Sequence, residues 1–422
     1  MTESNKKLDW QNRLRTLGFR EAGISFLRDR LTRESKKKRV DVLVHRLSKY
    51  EPHQEIVSLL RLNPAWRQRI EELAGELPEI DAQPEVYFVF QSGGNVPNIP
   101  TLGEDRLYLG SGEYFYALDG ESGAIIWHLH SPGKRWTTAW LCGDHLYVSL
   151  AGALYALSAA DGSTRWCFEA GKQLTSPYSC EGRVFVGSEE GTLYAVDARA
   201  GTRLWTFNVA QSIFVAPAVW ENKIFAASKD HKLYAVRLTD GECRWHFTTG
   251  GKIYAYPYVS EGTVYLAGAD HRVYALHAGS GQLLWSFSTG GEIHTSPFEK
   301  DGVVYLSSRD RHLYALRAED GKELWRHRML GYASSPTVRC RMIYFSAQGR
   351  VYGFSAADHK MRWCFPLGAS VATCPVVGNK RIYSGTLGGT LLCLALKINL
   401  DEQGATQVLR QFLERESEAE PE

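Results

Sequence analysis

The motif Gly-x-x-x-Trp ends on Trp127, Trp166, Trp205, Trp245, Trp285 and Trp325, and recurs at Trp363 with His359 in the glycine place. The steps between these tryptophans are 39, 39, 40, 40, 40 and 38 residues. A period near forty, with an aromatic-rich run in every copy, restricts the chain to a stacked or radial repeat architecture. One copy reads Ser-Pro-Phe-Glu-Lys-Asp-Gly over 296–302, Val-Val-Tyr-Leu-Ser-Ser over 303–308, His-Leu-Tyr-Ala-Leu-Arg over 312–317, then Ala-Glu-Asp-Gly-Lys-Glu-Leu-Trp-Arg-His over 318–327. That is four short strands divided by turns rich in Gly and Asp. Four antiparallel strands per forty residues make one propeller blade.

The third-strand motif occurs eight times, beginning at Tyr116, Tyr155, Tyr194, Tyr234, Tyr274, Tyr314, Tyr352 and Leu392. Only seven copies are followed by a tryptophan strand. The eighth outer strand is assigned to 86–94, Val-Tyr-Phe-Val-Phe-Gln-Ser-Gly-Gly, which aligns with Leu-Leu-Trp-Ser-Phe-Ser-Thr-Gly-Gly over 283–291 and puts Phe88 in the tryptophan place. The fold class is thus mainly β: an eight-bladed β-propeller of four-stranded antiparallel blades over 85–397, closed by the N-terminal strand 86–92. Closure removes edges on which another chain could pair.

Outside the repeats the period changes. Residues 1–80 carry apolar positions at helical spacing, among them Ile24, Leu27, Leu31, Leu43, Leu47, Leu59, Ile70 and Leu73, and read as a small α-helical adaptor-like domain. Pro78 to Pro84 form the joint. Residues 398–422 read as an acidic helical or disordered tail, with Val408, Leu409, Phe412 and Leu413 on one face. Net charge is only +2, so the total favours neither nucleic acid nor an anionic membrane. No apolar run follows the first basic residues, and none approaches the ~18 residues of a membrane span. The eight cysteines include no Cys-x-x-Cys pair. These features set the expectation of a cytoplasmic protein with no membrane partner.

Two groups of residues are candidates for a binding surface. The turn between second and third strands is Glu-Gly at 190–191, the pair a tight hairpin favours. Three consecutive blades instead read Lys229-Asp-His-Lys232, Ala269-Asp-His-Arg272 and Arg309-Asp-Arg-His312. His231, Lys232, His271, Arg272, Arg311 and His312 would form a basic arc on one face, suited to an acidic partner or a phosphate backbone. The same turns also read as solvated hairpins copied by duplication. The segments entering the innermost strands should share that face and carry Lys134, Arg135, Trp136, Lys172, Phe214, Lys252, Tyr254, Tyr256, His294 and Tyr332. Rings interleaved with cations suit peptide or nucleotide binding; packing beneath neighbouring loops is the other reading. The histidines lie on separate blades, too far apart for one tetrahedral metal site. No phosphate loop, Gly-x-Ser-x-Gly or His-Glu-x-x-His is present, so no enzyme is expected.

The pattern Ala-x-Asp-x-x-x-Gly-x-x-x-Trp at Ala117, Asp119, Gly123 and Trp127, and again at Ala195, Asp197, Gly201 and Trp205, is the tryptophan-docking motif. Over 85–397 the chain resembles the pyrroloquinoline-quinone (PQQ)-like, BamB-like family of eight-bladed propellers. The resemblance implies that each tryptophan packs between neighbouring blades. The family's dehydrogenases hold PQQ with a stacking tryptophan, a vicinal disulfide and a calcium ion; this chain has no adjacent cysteines, and no cofactor is expected. What the resemblance implies is a non-enzymatic scaffold or sensor that binds a protein or small ligand, with the helical domain coupling to an effector. Cytosolic propellers of this kind suggest a bacterial signalling or NTPase-linked conflict (defence) system. The alternatives are a nucleic-acid-binding module and, behind it, a PQQ-dependent dehydrogenase.

Overall fold

The two middle strands of each repeat are apolar nearly throughout rather than alternating, and such strands need cover on both faces. The computed structural model provides it by standing each sheet between two others. The structure describes residues 84–92, 94–96, 98–339, 341–371, 373–378 and 381–395. The helical domain expected over 1–80 and the tail expected over 398–422 lie outside these residues. Among the described residues, no helix is long and apolar enough to cross a membrane.

Eight four-stranded antiparallel sheets form the blades of a propeller, as the repeat predicts. Blade 1 covers 101–130, blade 2 140–169, blade 3 178–208, blade 4 218–248, blade 5 258–288, blade 6 298–328 and blade 7 337–366. Blade 8 joins 376–395 to the strand Glu85–Gln91. In blade 6 the second strand, Val303–Ser307, and the third, His312–Arg317, are buried over most of their length. The outer strand, Glu323–Arg328, alternates between exposed and half-buried positions. The core is therefore a series of layers between blades. One such layer packs Tyr265, Ala267, Val273 and Trp285 of blade 5 against Val304, Leu306, Tyr314 and Leu316 of blade 6.

The glycine of each repeat explains its tryptophan. A Cβ on Gly162 would stand 2.7 Å from Trp127 Cε3, on Gly201 2.7 Å from Trp166 Cδ2, and on Gly281 2.6 Å from Trp245 Cδ2. Each indole lies on the bare turn of the next blade. Its Nε1 donates to a carbonyl there: Trp127 to Ala159 at 3.2 Å, Trp166 to Ala198 at 3.0 Å, Trp205 to Leu238 at 3.1 Å and Trp285 to Ala318 at 2.8 Å. A β-bulge in the outer strand aims the ring, as between Ala275 and Leu276 opposite Trp285. At His359, where the glycine is missing, the imidazole stacks on Trp325 with centroids 4.8 Å apart.

The ring closes as the alignment of 86–94 requires. Glu85–Gln91 pairs antiparallel with Thr390–Ala395, and its register shift falls between Val86 and Phe88, leaving Phe88 opposite Cys393. A Cβ on Gly123 would stand 2.4 Å from the Phe88 ring, so the phenylalanine occupies the tryptophan place. Ser92 Oγ lies 2.7 Å from Gly389 O and 2.6 Å from Gly94 O, the positions Thr289 Oγ1 takes with His271 O and Gly291 O. Arg381 of blade 8 then donates to Gly120 O of blade 1.

Candidate functional site

The turns between second and third strands and the segments entering the innermost strands do share one face. The Lys229 amide donates to Ser212 O, Ala269 to Lys252 O, Arg309 to Glu292 O and Leu387 to Ser370 O. Each bond ties a turn to the entering segment of its own blade. Isolated bridges, such as Ile213 with Ser228, bury the apolar residue of that segment beneath the face.

The aspartates of the basic arc are pins. Asp270 Oδ2 accepts from Gly250 N at 2.7 Å and from the Tyr274 hydroxyl at 2.5 Å; Asp310 Oδ2 accepts from Gly290 N at 2.7 Å and from Tyr314 at 2.6 Å. Asp230 accepts from Tyr234 at 2.6 Å. Burial opposes the Asp310 carboxylate, but bonds from Tyr314, Gly290 and His312 outweigh it and hold its pKa below the usual range. Burial and the aspartate together push Tyr274 and Tyr314 up to about 12. These acids are fully engaged in holding the turn.

The residue after each aspartate, or two after the lysine or arginine, is unusual. His231, His271 and Arg311 have φ of 70°, 67° and 67°, in the left-handed region. Blades 3 and 8 place Gly191 and Gly389 at the same position, with φ of 85° and 84°. A β-carbon in that conformation costs about 1 kcal/mol, somewhat less for histidine. His271, Arg272 and Arg311 are exposed, His231 and Lys232 half-buried, and none of the five makes an ion pair or side-chain bond among the described residues. His312 is turned inward, 3.3 Å from Asp310.

The entering segments contribute rings. Lys229 Nζ lies 4.2 Å above Phe214, and Arg309 lies 5.6 Å above Tyr332. Tyr254 and His294 pack with centroids 4.8 Å apart, and His294 Nε2 is 2.9 Å from Glu292, which Arg309 approaches at 3.7 Å. Phe214 and Tyr332 are 50% and 61% exposed, so these rings are available to a partner. Lys252, Lys134 and Arg135 are exposed. Lys172 is held by Glu190 at 2.8 Å. Trp136 is not on the rim: it is 5% exposed, packed on Phe115 and Tyr155, with Nε1 bonded to Glu113 O. It fills the buried place that Leu174 and Ile213 hold in later blades, so no partner can reach it.

Two apolar side chains on this face were not singled out from the sequence. Leu330 is 74% exposed and Leu387 is 42% exposed. Their signal was positional: Leu330 stands where the alignment has Gly290, and Leu387 where it has Lys229 and Arg309. Tyr256 is 41% exposed, its amide bonded to Ser296 Oγ at 2.8 Å while Ser296 N bonds Ser335 Oγ at 2.9 Å, blade to blade along the inner strands.

Chemically the face offers rings, aliphatic groups and cations. Among the described residues no three His, Cys, Asp or Glu side chains converge as a metal centre needs. Among the described residues no exposed tryptophan stands on the rim, and no vicinal cysteines exist in the chain. The residues present therefore do not fit the quinone and calcium that dehydrogenases of this architecture carry.

The comparisons agree with the fold. BamB from Moraxella catarrhalis is 18% identical, with 75% of this chain and 99% of that chain covered and a TM-score of 0.66. Saccharomyces cerevisiae Sqt1 is 11% identical, with 75% and 100% covered and a TM-score of 0.67. The quinohemoprotein alcohol dehydrogenase ADHIIG from Pseudomonas putida HK5 is 13% identical, with 79% and 82% covered and a TM-score of 0.63. A search of curated proteins finds no match. The family model described as outer membrane protein assembly factor BamB matches residues 110–252 and 248–363, more than half of the chain. With the docked tryptophans and the strand-closed ring, that match shows that the chain belongs to the BamB family of propellers.

Proposed function

We propose that this chain is a non-enzymatic scaffold or sensor, acting in the cytoplasm, whose turn face over blades 4 to 7 takes a protein partner. The observation that carries the reading is the set of exposed ring–cation couples, Lys229 on Phe214 and Arg309 on Tyr332, beside cations that pair with no acid among the described residues. Interfaces draw their energy from a few such aromatic and arginine anchors. The donor set gives no support to a dehydrogenase. A role in bacterial signalling or an NTPase-linked defence system, with residues 1–80 coupling to an effector, is the finer form of this proposal.

The free cations Lys252, Arg272 and Arg311 favour a second reading, a nucleic-acid module. Affinity capture from host extract, with and without nuclease treatment, separates the two. The bait is the full chain, alone and with Phe214→Ala, Tyr332→Ala and Arg272→Ala combined. A protein retained by the first bait and lost from the second, with binding little changed by salt, establishes the scaffold face. Capture that is equal with both baits refutes that face. Recovery that is abolished by nuclease promotes the second reading.

A further inference from the structure

Within the arc the acidic side chains have partners in the fold and several of the basic ones do not. Asp230, Asp270 and Asp310 accept from tyrosine hydroxyls and keep their charge, and Glu292 lies 3.7 Å from Arg309. The basic side chains Lys252, His271, Arg272 and Arg311 stand exposed without a partner among the described residues. At His271 and Arg311, and at His231 before them, the side chain is carried on left-handed backbone where neighbouring blades use glycine.

The rings are placed by an insertion. In blades 2 and 3 the buried residue of the entering segment, Trp136 or Leu174, precedes the innermost strand's first residue, Trp140 or Tyr178, by four positions. In blade 4 the interval from Ile213 to Ala218 is five. The same longer interval separates the buried Ile253 and Ile293 from Tyr258 and Phe298 in blades 5 and 6. The residue following the buried isoleucine is Phe214, Tyr254 or His294, one ring per blade on three consecutive blades. In blade 7 the interval from Ala333 to Thr337 is four again, and the exposed Tyr332 stands before the bridged residue rather than after it, near the exposed Leu330.

Resting on the scaffold reading above, we infer that this face binds an extended acidic peptide segment of its partner. The segment runs along blades 4 to 7, its carboxylates on Lys252, His271, Arg272 and Arg311 and its apolar side chains against Phe214, Tyr254 and Tyr332. Repetition from blade to blade favours a ligand that also repeats, and an extended chain does so. Carboxylate groups match guanidinium and ammonium donors, while the rings and Leu330 give apolar cover that a sugar-phosphate backbone does not use.

The test uses the full chain and a fluorescently labelled random copolymer of glutamate and tyrosine, with polyglutamate and single-stranded DNA as comparison probes. The variant combines His231→Gly, His271→Gly and Arg311→Gly. Glycine suits the backbone at all three positions, so weaker binding by the variant cannot be ascribed to failed folding; its thermal midpoint is measured alongside. The expected result is copolymer binding that weakens with salt and falls about tenfold in the variant, as loss of a few exposed charge pairs implies, with the midpoint unchanged or raised. Polyglutamate should bind more weakly than the copolymer. Equal binding by wild type and variant, or none, overturns the acidic-peptide inference; a partner captured through Phe214 and Tyr332 would still uphold the scaffold reading. DNA binding as tightly as the copolymer, with the same loss in the variant, overturns it in favour of nucleic acid.

Discussion

Gly281 and Gly262 belong to the same blade and have nearly the same backbone, with φ of 74° and 75°. They differ in surroundings: a Cβ at Gly262 meets nothing within 4 Å, whereas one at Gly281 stands 2.6 Å from Cδ2 and Cε3 of Trp245. Alanine at either site incurs about 1–2 kcal/mol for left-handed backbone, offset by about 0.4–1 kcal/mol from a stiffer unfolded chain. Gly262→Ala should therefore cost about 1 kcal/mol or less. Gly281→Ala must also move an indole by about 1 Å to restore ordinary contact. Overpacking of that kind costs about 1–3 kcal/mol. Displacement also stretches the 3.2 Å bond from Trp245 Nε1 to Ala278 O, worth about 1 kcal/mol. The expected losses are about 3 kcal/mol for Gly281→Ala against about 1 kcal/mol or less for Gly262→Ala. Urea unfolding followed by tryptophan fluorescence measures both, and thermal midpoints should differ by about 3 °C. Equal losses would refute the claim that docking on a bare turn, rather than turn geometry alone, requires the repeated glycine.

Phe90→Ala in the closing strand removes a buried ring packed on Tyr116 with centroids 5.1 Å apart; it should cost about 3–5 kcal/mol and speed amide exchange in 85–91 and 390–395 more than in blade 5. His327 packs edge-on to Phe354 at 4.6 Å, and burial, then the nearby His312, lowers its pKa below 6.5. The folded state thus binds fewer protons than the unfolded one below that value, so stability contributed by neutral His327 is full above pH ~6.5 and is lost as pH falls through the folded pKa. His327→Gln should flatten the fall in thermal midpoint between pH 7.5 and 5.5; an unaltered slope would count against the assignment.

The blade and the closing strand were legible because they rest on repetition. Seven tryptophans fix the period, and Phe88 falls into register once the nine-residue alignment of 86–94 with 283–291 is drawn. The face was legible only in outline. Trp136 follows Lys134 and Arg135 on what looks like one exposed loop, yet burial in the entering segment is decided by the bridge to Leu150, a long-range pairing. Lys172 reads as a free cation until Glu190, eighteen positions away, is brought to 2.8 Å. The aspartates of the arc read as ordinary turn residues, and so they are, but the bond each accepts from Tyr234, Tyr274 or Tyr314 has no mark in the local pattern. Leu330 and Leu387 required comparing each blade with the others position by position.

The closing seam also sets an order of events during synthesis. Gln91 and its partner Thr390 are 299 residues apart. At about 5–20 residues per second, the ribosome needs roughly 15–60 s to make the intervening chain. Blades 1 to 7 can stack in sequence as they emerge, each indole settling on the turn that follows it. Throughout that interval Phe88 can rest on Gly123 of blade 1, but Phe90 and the whole hydrogen-bonding edge of Glu85–Gln91 wait for a strand not yet made. The nascent ring is therefore most open to pairing with the wrong chain just before its last strand leaves the ribosome.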